Sequence, residues 1–298
     1  METTKDNFSK GLLLTLIGAV GWGFSGTCGQ YLINVKNIPT IDIVNLRLLF
    51  GGLILVIISL LKDKKQTFYI FKNKKDTLTL ILFAIFGLLA AQFSYLESIH
   101  YTNAPTGTVL QFLSSILIVI GMCLIEKRLP YKYELFAITF AVLGTFALST
   151  HFNIHNLVIT PLGLVWGLIS ASAVVIYTIL PVGILNKYSA IVVSGFAMLL
   201  DGIILSLILR PWNFNIIHDN MTFLALLGMI TFGSVIAFTS FLAGVSIIGP
   251  VKGSLISGTE AIASLLFSIT LLGDTFDPID IIGMALILIG VSALSIKK

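Results

Sequence analysis

Residues 250–272 read PVKGSLISGTEAIASLLFSITLL, an apolar run with one carboxylate, Glu260, near its middle. About 20 apolar residues rising ~1.5 Å each cover the ~30 Å hydrocarbon core of a bilayer, so the run is long enough to cross one. A Glu at that depth costs roughly 2.5 kcal/mol or more on insertion scales, and it therefore faces a bundle interior or a wet cavity. Ser257, Gly258, Thr259 and Ala261 surround it. Such small residues allow close helix contact, or a locally opened backbone that lines a passage. A membrane helix with a polar centre reads as part of a transport path.

The rest of the chain has the same character. Of its 298 residues 56% are hydrophobic and 11% charged, against roughly a quarter charged in an average soluble protein. The mean hydropathy is +1.01. Apolar windows predict ten helices, at about 11–33, 40–61, 78–98, 104–122, 133–150, 161–184, 188–209, 222–245, 250–272 and 279–296. The runs are continuous and not alternating, which excludes a strand barrel. The first is longer than the ~7–15 residue core of a signal peptide and reads as a first span. The net charge of +4 is no nucleic-acid signal, because the cations sit in short loops and not along one face. Cys28 and Cys123 fall in different apolar segments, near opposite membrane surfaces, so no disulfide is expected.

Orientation follows from Lys and Arg. With the N-terminus inside, fifteen of the eighteen cations fall in inner segments, Lys36 and Arg210 in outer ones, and Arg47 within a span. The positive-inside rule then places both termini in the cytoplasm. The chain also repeats itself. ELFAITFAVLGTFAL from Glu134 aligns with DIIGMALILIGVSAL from Asp280 at an offset of 146, where Tyr95–Leu96 also meets Phe241–Leu242. Trp22–Gly23 meets Trp166–Gly167 at an offset of 144. The expected fold is an all-α polytopic membrane protein of ten helices, with five-helix repeats over 1–150 and 151–298. Because five is odd, the repeats have opposite orientations, a design that places a substrate site near mid-membrane between them.

Several stretches carry a resemblance to a known family. They are Trp22–Gly23, Arg47, the run YTNAPTGTVLQFLSSILIVIGMCLIEKRLP from Tyr101 with its terminal Glu126, and GPVKGSLISGTEAIASLLFSITLLGDTF in the second half, with Glu260 and Asp274. Together they resemble the drug/metabolite transporter superfamily, specifically the bacterial EamA-type transporters, over nearly the whole chain. Ser115 and Ala261 stand where that family usually places a helix-bending Pro, so the kinks expected in spans four and nine lack their proline. Asp274 is one methylene shorter than the expected Glu. The resemblance implies ten helices around a cavity lined mainly by spans 1, 3, 4, 6, 8 and 9, working by alternating access. It also implies secondary transport, as an exporter, of small metabolites such as amino acids across the plasma membrane. Uptake is the alternative, and an intramembrane enzyme or a scaffold ranks lower.

Glu260 is the first candidate on the substrate or ion pathway, as a proton site or as a holder of a cationic group. Its alternative is a carboxylate hydrogen-bonded to neighbouring Ser and Thr. Glu97, near the outer end of span three, is a second candidate, and Arg47 is placed to pair with it as a structural charge. Asp201 in span seven reads as a second structural intramembrane charge, with Ser206 or an adjacent helix as partner. Trp22, Trp166, Tyr95, Tyr177 and Gln111 lie on spans expected to face the cavity; lipid-facing or interfacial belts are the alternative for the aromatics. Lys252 is placed to snorkel to the inner surface. His100, His151, His155 and His218 fall in outer loops without metal-ligand spacing and read as solvated, so no metal site is expected. The loop from Lys62 to Asp76 is basic with interleaved aromatics, suited to an anionic leaflet or to fixing topology. No phosphate loop, nucleophile elbow, zinc helix or cysteine cluster occurs, so neither a cofactor nor an enzyme is expected. The expected partners are a small-molecule substrate, protons and the lipid bilayer, with a homodimer compatible and nucleic acid excluded.

A cysteine placed in the Thr150–Pro161 link, in a background without Cys28 and Cys123, should react with an impermeant reagent from outside the cell. Reaction only after the cytoplasm is exposed would reverse this topology.

Overall fold

The computed structural model of the chain describes residues 2–62, 67–153, 158–210, 219–248, 253 and 256–296. Part of the 250–272 stretch, including Lys252, lies outside the described residues, as do His155 and His218. Hydrocarbon offers no partner to a backbone N–H or C=O, so each apolar run closes its own hydrogen bonds as a helix. The apolar helices are α1 (Phe8–Val35), α2 (Thr40–Lys62), α3 (Lys74–Tyr101), α4 (Ala104–Ile125), α5 (Lys132–Thr150), α6 (Pro161–Ile179), α7 (Ala190–Leu209), α8 (Asn220–Ile248), α9 (Thr259–Leu272) and α10 (Pro278–Ile296). The first eight are each long and apolar enough to cross a membrane, and the last two carry shorter apolar stretches. No strand occurs among the described residues. The chain is a polytopic helical membrane protein.

Polar residues in the links set where helices begin. The side chains of Asn73, Asn103, Thr160, Ser189 and Asp219 each accept a backbone N–H of the following first turn, which satisfies donors that a helix start leaves free. Both cysteines are free and buried.

The packing has a regular plan. Helix α2 lies along α7 and α5 along α10; α1 packs on α8 and α9, and α6 packs on α3 and α4. Exchanging each helix for the one five places away leaves this set of pairs unchanged. The detail follows the same rule. A Cβ on Gly144 would stand 2.6 Å from the Gly283 carbonyl, and one on Gly290 would stand 2.8 Å from the Ala137 carbonyl. Both residues of the second contact or its mate lie 146 positions from their counterparts in the first. Between α2 and α7, a Cβ on Gly52 would meet Leu199 N at 2.3 Å. Only glycine lets backbones approach so closely, and in lipid that approach supplies the attraction between helices.

The helices are irregular at matching places. Wide π-type turns occupy Phe83–Leu89 in α3 and Thr231–Ile236 in α8. Helix α4 is interrupted at Leu113, whose N–H closes on Leu110 O three residues back, and a turn at Gly258 precedes α9. Spans four and nine are therefore broken although Ser115 and Ala261 replace proline. At Leu113 a tightened turn does what a missing donor would have done.

Substituting Gly144 by Val should overpack the α5–α10 seam and cost ~1–3 kcal/mol, lowering the thermal midpoint of the solubilised protein. Gly121→Val is the control, since a Cβ there meets nothing within 4 Å. Equal midpoints for the two variants would contradict the seam.

Candidate functional site

A cavity of about 190 Å³ opens between α1, α2, α3, α4, α6, α8 and α9. Its charged lining residues are Arg47 from α2 and Glu260 from α9; Trp22, Tyr95, Tyr177 and Phe238 supply the aromatic wall, and Ser25, Gln92 and Gln111 the neutral polar groups. The irregular turns direct this lining. The wide turns of α3 and α8 immediately precede Ala91–Tyr95 and Phe238, and such turns shift the face that the following residues present.

Glycine also sets the position of Glu260. A Cβ on Gly23 would stand 2.7 Å from the Glu260 carbonyl oxygen and 2.8 Å from Ser264 N. Backbone of α1 thus touches backbone of α9 at its first turn, next to Trp22. Glu260 is half-buried, and its carboxylate has no hydrogen-bond or ion-pair partner among the described residues. Arg47 is 4% exposed. Its Nε lies 3.4 Å from Ser234 Oγ, and its Nη1 is buried with no partner among the described residues. Two opposite charges therefore line one space, neither neutralised by a direct bond. Around them Tyr95 Oη and Thr108 Oγ1 share a hydrogen bond of 2.9 Å, and Gln111 Nε2 donates to Ser170 Oγ at 2.9 Å. Trp22 is held edge-on by Phe238, at 5.4 Å between centroids.

Five of the seven expected pathway residues, Glu260, Trp22, Tyr95, Tyr177 and Gln111, meet at this cavity. Glu97 does not; it borders a separate pocket with Asn37, Thr40 and His100. Residues two apart on a helix point about 200° apart, so a helix that turns Tyr95 inward turns Glu97 away. No Arg47–Glu97 pair forms among the described residues, and Arg47 joins the cavity instead. Trp166 packs edge-on against Phe93 at 5.6 Å, outside the lining. Asp201 is 0% exposed with neither oxygen partnered among the described residues. Its expected partner Ser206 is taken by Asn45, whose Nδ2 donates to it at 3.0 Å. Ser25, Gln92 and Phe238 are lining residues that the sequence reading does not single out; Phe238 stands 146 positions after Gln92, so the two occupy repeat-related positions.

At the end of the bundle holding the α1–α2 link, a polar clasp ties several elements. Gln30 Nε2 donates to Asp274 Oδ2 at 2.6 Å, while Gln30 Oε1 accepts the Ala104 N–H at 2.7 Å. The Ser268 hydroxyl donates to the same Asp274 oxygen. Lys36 and Asp219 pair at 2.5 Å between the end of α1 and the start of α8. That hydrogen bond, helped by the Thr222 N–H, holds the Asp219 carboxyl down to about 2. His151 is not simply solvated. Its Nε2 lies 2.7 Å from Asp280 Oδ1, joining α5 to α10.

The family model for EamA-like transporters matches residues 9–150 and again 161–296. The chain belongs to the EamA-like transporter family. This transporter is 37% identical over 289 residues to a protein of Salmonella typhimurium described as "Uncharacterized inner membrane transporter YicL", covering 97% of this chain and 96% of the relative. A solved structure described only as "Crystal structure of protein" superposes with a TM-score of 0.60 at 16% identity, over 99% of this chain and 97% of its own. That likeness is one of fold.

A Ser25→Cys variant of the transporter, in a background without Cys28 and Cys123, should be alkylated by a small hydrophilic thiol reagent. Adding Gln30→Ala should raise the rate severalfold from the clasped side. No reaction in either variant would show the space to be dry and sealed.

Proposed function

We propose that this chain is a plasma-membrane secondary transporter that exports small zwitterionic metabolites, such as amino acids, by alternating access. The observation that carries the reading is the pairing of Arg47 and Glu260 across one small cavity. A buried donor left unmade costs ~1–3 kcal/mol, more when charged, so Arg47 Nη1 is a waiting place for a carboxylate. Glu260 would take the ammonium of the same solute, and Trp22, Tyr177 and Phe238 would hold its apolar part. At about 190 Å³ the space is smaller than the ~300–1,000 Å³ of drug-sized pockets, which favours a small metabolite. When the solute leaves, a proton on Glu260 would remove the uncompensated charge, which gives a route to proton coupling.

The proposed architecture is ten spans as two inverted five-helix repeats, over 1–150 and 151–298, with both termini cytoplasmic. Support comes from helix pairs that survive exchange by five places, from the family model matching twice, and from the distribution of cations. Alternating access would rock the α1–α9 and α4–α6 contacts about the central cavity, with the Gln30–Asp274 clasp as the closed outer gate. Export follows the family resemblance, and the plasma membrane follows the relative described as an inner membrane transporter. Transport is preferred to catalysis because Glu260, Glu97 and Asp201 stay apart in the fold.

The test is solute flux in proteoliposomes carrying the purified protein, screened with labelled amino acids, amines and organic acids. Flux of at least one zwitterion is expected, with Arg47→Gln reducing it by about 10–150-fold, the worth of one charged hydrogen bond of ~1.5–3 kcal/mol. Glu260→Gln should reduce flux and flatten its pH profile. Flux confined to simple cations or anions, or indifferent to both substitutions, would contradict the proposal.

A further inference from the structure

We propose a second site in this protein, a pocket for the phosphate of an anionic lipid headgroup, formed where α2 ends and α7 begins. A cavity of about 590 Å³ lies there, lined by Lys62, Lys187, Tyr69, Tyr188, Ser59 and Ser189 among others. It shares no lining residue with the central cavity.

The donors converge from separate elements. Lys62 is the last residue of α2, exposed, and has no hydrogen bond or ion pair among the described residues. Lys187 is aimed by Asp76, whose two oxygens accept from its Nζ at 2.8 and 3.1 Å, and Tyr188 Oη donates to the same carboxylate at 2.9 Å. The ammonium is thus fixed in place rather than free to sweep the surface. Ser189 caps the 20-residue α7. Its oxygens take the N–H groups of Val192 and Val193, while those of Ala190 and Ile191 have no partner among the described residues. Free amides at a long helix start carry partial positive charge and favour an anion. The Ser59 and Tyr188 hydroxyls are engaged by Thr67 and Asp76; fixed and mobile ammonium groups, a helix start and the hydroxyls of Tyr69 and Ser189 match a phosphate better than a carboxylate, because a phosphate offers more acceptor oxygens.

Exposed aromatics argue for a lipid source. Phe68, Tyr69 and Phe71 are all exposed, and Phe68 and Phe71 pack on Phe196 of α7, with centroids 5.8 and 4.8 Å away. Aromatic rings on such a rim sit at the membrane–water interface, at headgroup depth. Lys72 stacks over Tyr69 at 4.5 Å. Assigning the site to the cytoplasmic leaflet rests on the orientation proposed above; the binding itself does not.

The test uses the full-length protein in detergent, with lipid adducts read by native mass spectrometry and thermal midpoints in parallel. The probes are dioleoyl phosphatidylglycerol, dioleoyl phosphatidylcholine and inorganic phosphate. Phosphatidylglycerol should be retained over phosphatidylcholine, and Lys62→Gln should weaken that retention about fivefold, the factor that ~1 kcal/mol per surface cation represents. Lys187→Gln should weaken it too, and Lys127→Gln, remote from the pocket, should leave it unchanged. Equal retention in all variants, or an equal loss with Lys127→Gln, would overturn the site. Stabilisation by inorganic phosphate matching that by phosphatidylglycerol would overturn the lipid assignment in favour of a soluble phosphate. None of these readouts involves transport, so failure here leaves the central cavity untouched, and failed flux would leave the lipid site standing.

Discussion

In hydrocarbon a polar group has no solvent to fall back on, and the whole structure follows from that constraint. Backbone amides pair along helices; Ser, Thr, Asn and Asp take the loose amides at helix starts. Threonine and serine hydroxyls within spans bond the carbonyl four residues back, as Thr15 does with Gly11 O. Among the described residues the buried atoms without a partner include the hydroxyls of Ser149, Thr222 and Ser264 and, alone among the cations, Arg47 Nη1, which shares its cavity with the half-buried Glu260 carboxylate. An ionisable group inside a membrane bundle most often faces a partner or a wet cavity. The cavity supplies the space for water or solute to meet it. Asp201, enclosed where α7 packs on α2, has no partner among the described residues either.

Glycine turns that constraint into geometry. Apolar burial gives no drive between helices in lipid, so close backbone contact must hold the bundle. The seams at Gly144–Gly283 and Gly52–Leu199 each join helices that exchange with one another five places on. The contact at Gly23 differs, because it sets backbone of α1 against the first turn of α9 and so against Glu260. A small shift of α1 would move the wall and the charge together. Structural contact and functional position are the same contact there.

The fold was largely readable in the residues, because each span is continuous and apolar and the links carry the charge. Much of the candidate cavity is legible too, from the mid-span Glu260 and from the spans expected to face inward, which carry Trp22, Tyr95, Tyr177 and Gln111; the repeat alone misleads, since Trp166, the mate of Trp22, lies outside the lining. Glu97 borders a pocket apart from the cavity, and apolar periodicity around it does not say which face of α3 turns inward. Arg47 was paired with it for the same reason, on depth alone. The break at Leu113 has no residue signature, since a tightened turn needs no proline, whereas the turn at Gly258 falls among the small residues that allow a locally opened backbone. The clasp between Gln30 and Asp274 joins residues 244 apart in the chain, and no local pattern encodes such a pair. His151 was likewise read as a loop residue, whereas the approach of α10 brings Asp280 to it.

The account stands on the claim that Arg47 and Glu260 face solvent-filled space and not each other or lipid. Electron cryomicroscopy of the protein in lipid nanodiscs, at a resolution that shows ordered water, examines this most directly. Density for water or solute bridging the guanidinium and the carboxylate is the result the account predicts. A dry interface, with the two charges in direct contact or Glu260 turned toward acyl chains, would contradict it.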